Sequence, residues 1–256
     1  MLCKNASRSR VMHLRRCIAI EMHKRRKQHP KVNPVNSPVR DFELVGERRW
    51  PMALAVVSTG GLFFAIPEEF RLSNIWHYFY LLLLLVLLLT LIIGDPGRIN
   101  RESPWLRIAT GSMLGLITVV TAVSAFRLIY GILTQAQFDT PAQLLFVGAI
   151  VWVTNIMAFA LWYWHLDSGG PAARALRDVR TQPAFRFPEQ GIPEIVGPDW
   201  YPQFFDYLAL SFNVATSFSP TDIAAIRHWS KLSMIAESAI SLSLVGLVLA
   251  RAVNVL

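Results

Sequence analysis

The chain is short of charge. Asp, Glu, Lys and Arg make up 16% of its 256 residues, while hydrophobic residues reach 53% and mean hydropathy is +0.38. Soluble domains carry about 25% charged residues, so the deficit excludes an ordinary water-soluble globule and points to lipid as solvent. Cysteine is nearly absent: Cys3 and Cys17 are the only two, and their spacing matches no zinc or redox motif. There is no P-loop, GxGxxG, HExxH or GxSxG. None of the six histidines stands at ligand spacing from a cysteine or carboxylate. No cofactor or metal is therefore expected, and the chain does not read as an enzyme. No apolar run precedes residue 51, so no secretory signal is expected.

The charge that is present is unevenly placed. Residues 1–50 hold 13 Lys/Arg against 4 Asp/Glu, leaving 12 against 13 for the remainder. The whole positive excess thus belongs to the N-terminal tail, read as residues 1–49. No nucleic-acid-binding fold surrounds those charges. Anionic lipid headgroups are the expected partner, each Lys/Arg near such a surface contributing about 1 kcal/mol. Residues 28–40 have three prolines and no apolar period, and read as an extended linker.

Four apolar segments follow, over residues 50–165. The first, Met52–Ile66, is short for a bilayer core, which takes about 20 helical residues; Gly60-Gly61 would permit close helix packing. The second opens on Trp76, His77, Tyr78, Phe79 and Tyr80, an aromatic group suited to the headgroup belt, and runs through leucines to Ile93. The third, Trp105–Leu133, carries Gly111 and Gly115 at helix-contact spacing and ends with Arg127 at the far interface. The fourth, Pro141–His165, has Asn155 placed for an interhelical hydrogen bond and closes on a second belt, Trp162 to His165. Residues 166–203 read as a proline-rich loop.

The last stretch, residues 204–256, is where polar groups enter an apolar setting. A short helix from Phe204 leads to the corner Ser217 to Asp222, and a long apolar helix runs on from Trp229. On that helix Ser230, Ser233, Glu237 and Ser241 share a face at three- and four-residue steps. Asp206, Thr216, Ser219, Thr221, Asp222 and Glu237 are the candidate ion path or polar site. Each has a structural reading beside it. Thr221 and Asp222 suit helix capping after Pro220, Asp206 suits an interface, and a serine or a basic residue would satisfy Glu237. Capping and function stay equally open for Asp222. Glu237 leans functional, because an intramembrane carboxylate is costly.

Pro202, Asp206-Tyr207, Phe212, Phe218 and Thr221-Asp222, followed by a helix ending Val-Asn-Val-Leu, resemble the C-terminal hairpin of an uncharacterised family of bacterial integral membrane proteins. The layout is also similar to the pore hairpin of potassium channels: pore helix, filter, inner helix. With Asp222 at the filter aspartate, Thr216-Ser217 fall where those channels have threonines, and Lys231 falls at a lysine nine residues on. Ser219 and Thr221 replace the filter glycines and Pro220 replaces the tyrosine. Glycine supplies positive φ cheaply, whereas proline fixes φ near −65°, so a potassium-type filter is excluded and the resemblance implies hairpin geometry.

Loop charges set the expected orientation. With the N-terminus cytoplasmic, the inside segments hold 13, 2 and 4 Lys/Arg and the outside ones 1 and 0. The reading is an all-α, polytopic transmembrane bundle of five to six spans in a bacterial inner membrane. The fifth span is short, either crossing fully or re-entering. The chain is homo-oligomeric in this reading, and a small cation passes or binds at the hairpin. The alternative is a non-conducting scaffold that binds a partner through its tail or the 166–203 loop.

Overall fold

A computed structural model describes residues 46–68, 74–94, 99, 103–134, 140–175, 181–216 and 222–255. Residues 1–43 divide from 44–256 as a separate unit. The second unit contains α1 (Trp50–Phe64), α2 (Asn74–Gly94), α3 (Pro104–Leu133), α4 (Pro141–Leu166), α5 (Pro171–Ala175), β1 (Phe185–Arg186), α6 (Pro193–Val196), α7 (Phe204–Thr216), β2 (Ala224–Ala225) and α8 (His228–Val255). The class is all-α. Proline at the first turn starts α1, α3 and α4, where its missing N–H has no helical partner to lose. The Thr140 side chain accepts from the Gln143 amide at 3.2 Å, capping α4.

Four helices, α2, α3, α4 and α8, are long and apolar enough to cross a membrane. Their outward side chains are apolar too: Leu82, Leu85, Val119, Phe126, Leu242 and Leu249 are all exposed. This arrangement is compatible with an integral membrane protein. α4 is the hub. Its most apolar stretch is 61% buried, against 22–28% for the other three, and it packs on α1, α3, α7 and α8.

Gly148 permits a close approach of α8 to the hub. A Cβ there would lie 2.9 Å from both γ-carbons of Val248 on α8. The expected glycine contacts divide: Gly60 lies against Leu84 and Gly111 near His165, while Gly61 and Gly115 meet nothing within 4 Å. The first aromatic belt needs correction at His77 and at Tyr80, which is also buried. Trp76, Tyr78 and Phe79 face outward, but His77 is buried, stacked on Phe63 at 4.9 Å between centroids. The second belt is corrected further, since Tyr163, Trp164 and His165 all turn inward.

The 166–203 segment is not an open loop. Phe185 and Phe187 are buried, and β1 pairs antiparallel with β2, Phe185 opposite Ala225. This cap holds the starts of two helices together. The Phe185 ring meets Tyr207 of α7 at 6.3 Å and Trp229 of α8 at 5.9 Å. Ser230 on α8 donates to the Ala184 carbonyl at 3.1 Å. α7 and α8 therefore begin at the same end of the bundle and run parallel, with Ser211 bonded to Glu237 and Ser238 bonded to the Val214 carbonyl. The other end of α8 packs with the end of α3 and the start of α4, through Leu128, Ile132, Leu144 and Val248.

Overpacking the Gly148–Val248 contact tests this arrangement. Gly148→Leu is expected to lower thermal stability in detergent by about 1–3 kcal/mol. Val248→Ala should recover part of that loss in the double variant, as coupled neighbours do. Additive losses would show that the contact is not formed.

Candidate functional site

Two polar assemblies are built into this fold. The first lies inside the bundle, between α4, α7 and α8. Glu237 is fully buried; Tyr163 donates its hydroxyl to Glu237 Oε2 at 2.6 Å, and Ser211 is bonded to Oε1. Ser211 Oγ is also 2.8 Å from the Ile156 carbonyl oxygen. A serine hydroxyl has one proton to donate, yet two acceptors face it. A neutral Glu237 that donates to the serine oxygen satisfies both contacts, because the serine proton then serves Ile156. One turn along α8, Asn155 donates to Ser241 at 3.2 Å, which is the interhelical bond its position predicts. Ser230, Glu237 and Ser241 are all buried, so the stripe read on α8 is the face it turns to its neighbours.

The second assembly closes the end of the bundle where α1, α7 and α8 start. Glu47 accepts from the Trp164 indole at 2.8 Å and from the Phe204 amide at 2.6 Å. Asp167 accepts from the Ala184 amide and the Tyr207 hydroxyl, each at 2.6 Å. Arg174 donates to the carbonyls of Trp164 and Asp167, lies 4.0 Å from Glu47 Oε2, and stacks over the Tyr207 ring. Glu47, Asp167, Arg174 and Tyr207 are each less than a tenth exposed. Burial raises the Glu47 carboxyl above its ordinary value, against the opposing pull of its two donors and of Arg174. Because Glu47 and Arg49 are buried in the bundle, the tail ends before them rather than at residue 49.

The predicted site residues do not converge. Asp206 accepts from the Gln203 amide at 2.7 Å, the N-terminal capping half of α7. Thr216 donates to the Asn213 carbonyl of its own helix at 3.0 Å. Ser219 and Thr221 lie outside the described residues. Asp222 is exposed and does not cap α8, because β2 stands between them. Among the described candidates, Glu237 alone sits in a built polar site. Among the described residues no hydrogen bond joins it to Asp206, Thr216 or Asp222. Tyr163, Ser211, Glu47, Asp167, Arg174 and Tyr207 were not foreseen. The spacing of Tyr207, Ser211 and Val214 on one face of a short helix was the available signal. No family model matches the chain, and no curated protein or solved structure does either.

Two substitutions measure these assemblies. Glu237→Gln can donate to Ser211 and accept from Tyr163, so it is expected to be nearly neutral in thermal unfolding. Glu237→Ala leaves buried hydroxyls unpartnered and should cost about 1–3 kcal/mol. Equal losses would overturn the proton count at Ser211. Glu47→Ala strands Arg174 and should cost about 3–5 kcal/mol. The sign of the pH dependence follows from the raised carboxyl. Glu47's contribution to stability is fully present below its unfolded value of about 4.5 and is lost as pH rises through the folded one. Unfolding across that window should be flatter in Glu47→Gln than in the native chain.

Proposed function

We propose that this is an integral membrane protein of five crossings in which a cytoplasmic re-entrant hairpin binds or passes a small cation. One observation carries the reading: α7 and α8 start side by side and run parallel. α7 has 13 residues, about 20 Å of helix in a hydrocarbon core of about 30 Å. Val214 meets Ser238, which lies about 15 Å into α8. The C-terminal end of α7 thus falls near half depth. A helix carries about half a negative charge at that end, and half-helix C-termini in membranes favour cations. This is the geometry implied by the resemblance to pore hairpins, with a different sequence at the filter. In this reading α1 supplies the fifth crossing and the basic end faces the cytoplasm. That end has Arg174, Arg186, Arg227 and Lys231, and Arg251 emerges opposite. The inner membrane of a bacterium remains the proposed location.

The enclosed Glu237 favours a second reading, a non-conducting module whose folded cap and basic tail hold a partner. The two readings separate in proteoliposomes. A conducting hairpin should give proton or alkali-cation flux that Thr216→Val slows about tenfold, equivalent to 1.4 kcal/mol on the barrier, while deletion of residues 1–43 leaves it intact. Absence of flux from well-folded protein overturns conduction and leaves the module.

A further inference from the structure

Beside the Glu47 assembly a cavity of about 330 Å³ opens between the starts of α1 and α3, the end of α4 and the cap. Its charged or chargeable wall is of one sign: Arg49, Arg107 and His165, with no carboxylate among the described lining residues. His165 is only 7% exposed. Gly111 leaves room beside its imidazole, with Nε2 3.8 Å from where a Cβ would stand. Its ring meets Trp162 edge-on at 6.2 Å. The imidazole makes no hydrogen bond among the described residues, so a buried polar group faces the cavity with its bonding capacity unspent. Arg107 reaches the same cavity from the first turn of α3. That helix begins with Pro104, has no acidic residue in its first turn and lacks a side-chain cap. Its first amides are therefore without helical partners and favour negative charge. Thr110 also lines the wall, with its hydroxyl donated to the Leu106 carbonyl of its own helix at 2.8 Å.

The rest of the wall is apolar, through residues such as Met52 and Leu106. The Arg107 guanidinium, the His165 imidazole and a helix N-terminus fit a phosphate oxyanion, and Arg supplies the planar donors that phosphate prefers. A bare phosphate would leave the apolar wall wet. A phosphodiester attached to a glycerol and the first acyl carbons would cover it, which is favourable in proportion to the apolar area removed from water.

We propose that this cavity is a binding site for the phosphate group of an anionic lipid, seated between α3, α4 and the cap at the headgroup level. The site is built from residues between Arg49 and Thr181 and does not depend on whether the hairpin conducts. It would tie the folded cap to the membrane surface at the point where Arg174, Glu47 and Asp167 already fasten it to the helices.

The test uses the full chain in mixed micelles, with phosphatidylglycerol, phosphatidylcholine or inorganic phosphate as probe and native mass spectrometry as readout. One phosphatidylglycerol should be retained per chain in preference to phosphatidylcholine. Arg107→Gln, at an exposed position, and His165→Gln should each weaken that retention about tenfold, or 1.4 kcal/mol, while Lys231→Gln, on exposed α8 surface, should not. Inorganic phosphate that competes at equal strength, with the same dependence on Arg107 and His165, identifies a soluble phosphate as the source instead. Equal retention of both lipids, or retention unchanged in Arg107→Gln and His165→Gln with the helical signal intact, overturns the site.

Discussion

Two buried carboxylates, Glu47 and Asp167, govern how this chain is assembled. Each is enclosed at one end of the bundle, where an unpaired charge costs several kcal/mol. They are tolerable only if every donor arrives from the right element at once. Glu47 needs the Trp164 indole from α4 and the Phe204 amide from α7. Asp167 needs the Ala184 amide from the cap and the Tyr207 hydroxyl from α7. Arg174 closes the set with bonds to the carbonyls of Trp164 and Asp167. The fold of the 166–203 segment follows from this requirement. A proline-rich stretch with little regular structure is held because its backbone and side chains complete a buried network, and α7 starts where that network fixes its first turn.

The start of α7 then determines the interior. β2 returns to β1, so α8 must begin beside α7, and the two helices run in the same direction. Parallel packing brings Ser211 against Glu237 and Tyr163 across from it. Glu237 is consequently a carboxyl with both oxygens bonded to neighbours, and it ties three helices together. Asn155 and Ser241 repeat the device a turn further on. Polar pairs of this kind are worth about 0.6–2 kcal/mol in membranes. Their larger effect is on specificity, since a slip of one residue would leave a hydroxyl, an amide and a carboxyl without partners.

Much of the helical plan was legible in the residues. Long apolar runs bounded by proline and glycine located α2, α3 and α4, and the short helix ends at Thr216 against an expected Ser217. Asn155 announced its hydrogen bond because a lone amide in an apolar helix has few other uses. The cap was illegible for a physical reason. Its order comes from Glu47, about 120 residues before it in the chain, and from α7, which follows it. No local pattern of hydrophobicity encodes either contact. His77, Tyr163 and His165 were misjudged for a related reason. Amphipathic aromatics suit a headgroup belt and a partly polar core equally well, and only neighbouring helices decide between them. The capping half of the Asp222 reading failed because the intervening β2, two alanines, has no strand signature of its own.

The form of the hairpin bears on both readings of the function at once. A full crossing would have left α7 as an ordinary packing helix with both ends at a surface. In the proposed re-entrant reading, a parallel start leaves its C-terminal carbonyls inside the bundle's depth, where unpaired backbone acceptors are costly. Something must satisfy them: the chain that follows, a water-filled space or a cation. Thr216, bonding back to the Asn213 carbonyl, and Ser238, bonding to the Val214 carbonyl, answer part of this demand. Glu237 answers none of it, since Tyr163 and Ser211 occupy its oxygens. The polar demand that distinguishes a cation site from a structural corner is therefore concentrated at the end of α7, away from the carboxyl that first draws attention.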